Sequence, residues 1–218
     1  MKDKNKKPFE QRSYNFEMRA IDSERGEGVR TITGRPIVYN SRTDLGWFDE
    51  IIEPGALDGA NLNDVRFLVN HDFSRIPLAR SRRNNANSTL RLMPGLEGLD
   101  METDLDVGNN TTARELVSAI DRGDLSGMSF MFSIDQERWE NLETDHPTRH
   151  IEKIGSVIEV SAVTFPAYED TEIHARDKEA LENARRELEN ARNDNAKSLE
   201  NEKRMLELEK MKVEILTK

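Results

Sequence analysis

From about Ser13 to about His174, short apolar runs are broken by Gly, Pro and Asn. The stretch "YNFEMRAID" alternates apolar and polar positions as a half-buried strand does, and "RTITGRPIVYNS" repeats the pattern with Pro36 at a strand edge or start. "VRFLVNHD" is a short β-branched and aromatic run that ends at His71, and "LRLMPGLEGLDMETDLD" reads as strand, turn and strand around Pro94-Gly95. In "TTARELVSAIDRGD" the period changes. Ala113, Leu116, Val117 and Ile120 fall on one helical face, with Asn110 or Thr111 as N-cap and Gly123 as the stop. Strand character returns in "LSGMSFMFSID" and "HIEKIGSVIEVSAVTFPAY". The zone is predicted to be a β-rich α+β domain with at least one helix.

Beyond Asp177, Gly and Pro disappear and Glu, Lys, Arg, Asn, Leu and Ala take over. Leu181, Ala184, Leu188 and Ala191 keep a 3-4 spacing; the seam passes Asn195 and resumes at Leu199, Leu206 and Val213, a four-residue stutter in a heptad frame. This predicts a long amphipathic helix whose thin stripe suits a coiled coil or docking, although a solvated helix with a few apolar positions carries the same pattern. Three zones follow: a basic arm over 1–12, a domain over 13–174 and a charged helical tail over 175–218.

Charge narrows the function classes. The net charge of −10 argues against a general nucleic-acid binder, which needs a basic face to displace counterions. With no cysteine, disulfides, thiolate metal sites and a Cys nucleophile are excluded. The opening "MKDKNKKPFEQR" lacks a following apolar region, and no run approaches membrane-spanning length, so the expectation is an intracellular protein with no membrane partner.

Candidate chemistry is sparse. His71, at the end of a strand, is placed to present a general base to a cleft or to be a satisfied structural histidine. Ser126 and Ser129 flank Gly127, which leaves room for close approach of a substrate or a strand. Either serine needs a neighbouring base to become a nucleophile, and otherwise serves turn hydrogen bonds. Glu159 interrupts an apolar strand. It either pairs with a buried partner, since an unpaired buried carboxylate is costly, or points to solvent from a sheet edge. His146 and His150 are spaced for two metal ligands on a helix, but Pro147 favours a loop or hairpin and no third ligand is placed. His174 is expected to be exposed at the domain edge. No metal and no cofactor is predicted.

Five segments in order, "WFDEIIEPGAL", "FLVNHDFSRIPLARS", "LRLMPGLEGLDMETDL", "ARELVSAIDRGDLSGMSFMFS" and "IEVSAVTFPAYEDT", resemble the HK97-type prohead (capsid maturation) serine proteases of tailed bacteriophages, distant relatives in fold of the herpesvirus assemblins. The resemblance spans roughly Tyr14 to Thr171. It implies a β-barrel-like antiparallel core with surrounding helices. It also implies a serine endopeptidase with His71 as base, Ser129 rather than Ser126 as nucleophile, and Glu159 as third member. Met131, where the family often has Gly, and Ala79, in place of the Gly of "PLG", depart from the pattern without removing a reacting atom. The implied substrates are scaffold or scaffold-like segments of the capsid protein, and the enzyme itself, inside the assembling prohead in the host cytoplasm. The tail would dock to scaffold, self-associate or be trimmed. A non-enzymatic prohead assembly protein keeping the protease fold is the alternative. A metal-dependent hydrolase using His71, Asp72, His146 and His150 is a third reading.

Overall fold

A computed structural model describes residues 9–15, 18–164 and 175–216. The alternating runs of the first half of the chain form strands: β1 (Glu10–Asn15), β2 (Arg19–Asp22), β3 (Val29–Val38), β4 (Arg42–Asp44), β5 (Asp49–Ile52), β6 (Arg66–Val69), β7 (Ala79–Arg80), β8 (Leu90–Pro94) and β9 (Gly98–Asp106). Helix α1 (Thr111–Asp121) follows, then the long strands β10 (Gly127–Glu140) and β11 (Thr148–Val163), and finally helix α2 (Ala175–Leu216). The α+β class and the long C-terminal helix are those expected; among the described residues the sheets remain open and do not close into the barrel-like core expected.

Helix α1 forms as its sequence dictates. The Asn110 side chain caps the Ala113 N–H, and Ala113, Leu116, Val117 and Ile120 are its buried face. Gly123 takes φ of +75° just beyond the end, a conformation that costs glycine little.

One sheet runs β2-β3-β9-β8, all antiparallel. The other runs β1-β10-β11-β5-β4, and β6 with β7 attaches to a second stretch of β11. Strand β11 is the hub. It pairs antiparallel with β10 along its length, parallel with β5 through Thr148–Ile151, and parallel with β6 through Glu159–Ala162. Phe67, Phe130, Phe132 and Val160 from this sheet share one core with Ile32, Ile37, Leu99 and Met101 from the other and with the apolar face of α1. The sheets meet closely at Gly34, where an added Cβ would lie 2.8 Å from Met128 Sδ.

Glu10–Arg12, read from sequence as the end of an arm, belong to β1 and are buried. Their charges are matched by one another and by partners distant in sequence. The Arg12 guanidinium donates from Nε to Glu50 Oε1 at 2.5 Å and from Nη2 to Glu10 Oε2 at 2.5 Å. Arg149 donates to Glu10 at 2.8 and 2.9 Å, to Glu50 at 3.2 Å, and through Nε to Glu137 at 2.9 Å. Burial alone would raise the Glu10 carboxyl, but the Arg149 and Arg12 charges and hydrogen bonds outweigh it and lower it from 4.5 to about 2. This network fixes β1 along β10.

Helix α2 touches the rest of the molecule in its first half. Leu188 is buried with Leu45 and Phe48, and Arg192 donates to the Leu142 and Thr144 carbonyls at 3.2 and 2.7 Å. Farther along, Leu199, Met205, Leu206 and Val213 are exposed.

Candidate active site

Strand β6 delivers His71. At its end Asn70 and His71 both take left-handed φ, +50° and +54°, a region where Asn and His are enriched among non-glycine residues. Asn70 anchors this turn. Its N–H donates to the Ala162 carbonyl at 2.9 Å, and its side-chain Oδ1 accepts from the Thr164 N–H at 2.9 Å. The next residue's N–H, that of His71, donates to Ser161 Oγ at 3.1 Å. The exit from β6 is thereby stapled to the end of β11, and the His71 ring turns back onto the sheet.

There His71 Nδ1 lies 2.7 Å from Glu159 Oε2. Glu159 is fully buried on β11, so of its two sequence readings the structure shows the paired one. With Glu159 ionised and the imidazole neutral, the ring proton sits on Nδ1 and Nε2 is left as an acceptor. The second Glu159 oxygen, Oε1, receives the Ser161 hydroxyl. Both carboxylate oxygens are therefore occupied, as burial of a charge requires.

Ser129 stands on the neighbouring strand. In register it pairs with Ser161 on one side and with Ser13 of β1 on the other, while Met131 pairs with Glu159. Directly opposed residues of antiparallel strands project from the same face, so Ser129, Ser161 and Glu159 share one side of the sheet. The opposite side carries Met128, Phe130 and Phe132 into the core. Ser129 is fully buried, and its hydroxyl donates to the Arg12 carbonyl of β1 at 2.7 Å. The structure thus joins His71 to Glu159 and sets Ser129 one strand away, with its hydroxyl on β1.

The other candidates lie elsewhere. Ser126 is exposed just before β10. His146 is exposed in the β10–β11 turn, 3.2 Å from Asp49 Oδ1, and His150 Nδ1 is 2.5 Å from Glu53 Oε1 within β11. His71, Asp72, His146 and His150 do not form one ligand set among the described residues. The described residues do bring Asp44, Asp49 and His146 together at the surface, where Arg42 Nη1 already donates to Asp49 at 2.6 Å. His174 lies outside the described residues. Met131 is half-buried beside Glu159, and Ala79 is buried in β7.

Beside the His71 turn opens a cleft of about 690 Å³ between the end of β6 and the start of α1, lined in part by Asn70, Asp72, Arg75, Ile76, Asn110 and Glu115. Ile76 is 89% exposed there. Two features of the fold escape a reading of the sequence. One is the Arg12–Arg149 network, whose members are polar residues far apart in the chain. The other is Ser161, for which a signal existed: it follows Glu159 by two, the spacing that puts both on one face of a strand.

No curated protein and no solved structure matches the chain. The sequence model of one family, described as caudovirus prohead serine protease, matches residues 14–186, from the end of β1 into α2. On that match, which takes in His71, Ser129 and Glu159 and most of the chain, the protein belongs to the caudovirus prohead serine proteases, the peptidases of capsid maturation.

Proposed function

We propose that this chain is a serine endopeptidase that cuts scaffold or scaffold-like segments of the capsid protein, and itself, as the prohead matures. The observation that carries the reading is the buried His71–Glu159 pair, 2.7 Å apart, on the sheet face that also bears Ser129. In the reaction His71 Nε2 takes the Ser129 proton as Oγ attacks the scissile carbonyl carbon. Glu159 holds the proton on Nδ1 and stabilises the imidazolium that forms. His71 then returns the proton to the leaving amine, and water, activated by the same imidazole, clears the acyl-enzyme. A positioned base of this kind contributes roughly 10²–10⁴-fold in rate. For attack, the Ser129 hydroxyl exchanges the Arg12 carbonyl for His71 Nε2. The exposed apolar residues of α2 serve docking to scaffold or self-association.

One observation favours the alternative of a non-enzymatic assembly protein: the Ser129 hydroxyl, fully buried, is bonded to β1. A fluorophosphonate separates the two. The proteolytic reading expects one phosphonyl group on the Ser129 peptide of chain recovered from proheads, and none in a His71→Ala chain. Absence of any adduct, or equal labelling of both chains, favours the assembly protein.

A further inference from the structure

We infer that Ser161 is a positioning residue of the same reaction, its single hydroxyl holding the main chain of His71 and the carboxylate of Glu159 at once. The inference rests on the roles proposed above for His71, Ser129 and Glu159. Ser161 is fully buried on β11, paired in register with Ser129. Its Oγ accepts the His71 main-chain N–H at 3.1 Å and donates its one hydrogen to Glu159 Oε1. Glu159 Oε2 in turn meets His71 Nδ1 at 2.7 Å.

These bonds close a loop from the His71 backbone through Ser161 and Glu159 to the His71 ring. Each link removes one freedom. With both oxygens held, the carboxylate does not rotate about its own axis. With the His71 N–H held, the turn keeps its left-handed φ of +54° and the ring does not swing from the sheet. Loss of the hydroxyl removes a partner from a buried amide and from a buried carboxylate oxygen together. The Ser161 hydroxyl proton is committed to Glu159, which separates its role from that of an attacking group. Ser129, on the adjacent strand, faces a base whose position Ser161 sets.

The test uses the full chain carrying Ser161→Ala, Ser161→Thr or Ser161→Val. Thr and Val have nearly the same shape, so a packing effect touches both and only the hydroxyl separates them. On the cognate capsid protein, Ala and Val are expected to lower kcat by about 10²-fold with KM little changed, the loss that a misplacement of about 1 Å carries. Thr regains most of it. In the Ser129→Ala background, the far-downfield imidazole N–H resonance of His71 is expected to persist with Thr and to be lost to solvent exchange with Ala and Val. Equal kcat and equal resonances for Thr and Val would overturn the inference, as would a covalent serine label found on Ser161. If even the native chain cuts nothing, the catalytic reading fails, and the resonance still decides whether Ser161 holds His71 against Glu159.

Discussion

Glu159 shows how far a single residue can be read before folding. Its place inside an apolar strand marks a carboxylate that is either paired or at an edge, and nothing local separates the two. The deciding partner, His71, is 88 residues away and is brought in by the parallel pairing of β6 with β11. In the proposed mechanism Glu159 keeps the imidazole proton on Nδ1, and this predicts the effect of neutralising it. Glu159→Gln preserves size but removes the charge that favours the imidazolium, and its amide can present a donor to Nδ1. The expected result is a kcat lower by roughly 10³–10⁴-fold with the fold intact, measured by capsid-protein cleavage alongside a thermal melt. A variant with near-native kcat would remove Glu159 from the proposed mechanism. Ser161 was open to the same reading, since strand period alone places it beside Glu159; its contact with the His71 backbone depended on the left-handed turn, which no spacing reveals.

At the level of elements, α1 was legible and β1 was not, for a physical reason. Helix α1 announces itself through a cap, a 3-4 apolar face and a stop, all within its own segment. In β1, Glu10, Gln11 and Arg12 are polar, and polarity at a chain start reads as solvation. Glu10 and Arg12 are buried because Arg149, 139 residues from Glu10, and Glu50, 38 from Arg12, neutralise and hydrogen-bond them. This arrangement is sensitive to acid. The Glu10 carboxyl is held at about 2 in the fold against an ordinary 4.5, so its contribution to stability is complete above about pH 4.5 and is lost as pH falls toward 2. Thermal melts should therefore show Tm declining through that interval, and a Glu10→Gln chain should show a shallower decline. Parallel acid dependence in the two chains would exclude Glu10 as a source. Because the same strand accepts the Ser129 hydroxyl, release of β1 also frees the proposed nucleophile.

For the whole molecule, the sequence conveyed the α+β class, the helical tail and, through five ordered segments, the family that the 14–186 match shows. It did not convey that β11 joins β5 and β6 in parallel, because those pairings link segments whose own patterns are short and interchangeable. The tail divides into two parts. Around Leu188 and Arg192 it is fastened to the domain, whereas Leu199, Leu206 and Val213 face solvent. If the outer part docks to scaffold, a chain ending at residue 194 keeps its Tm and loses incorporation into proheads; normal incorporation of that chain would remove the docking role. No helix among the described residues is long and apolar enough to cross a membrane. The most direct test of capsid proteolysis by Ser129 is the intact mass of native and Ser129→Ala chains, each co-assembled with the cognate capsid protein. Capsid-protein fragments should appear with the native chain and be absent with Ser129→Ala. The same fragments from both, or none from the native chain in assembled proheads, would contradict it.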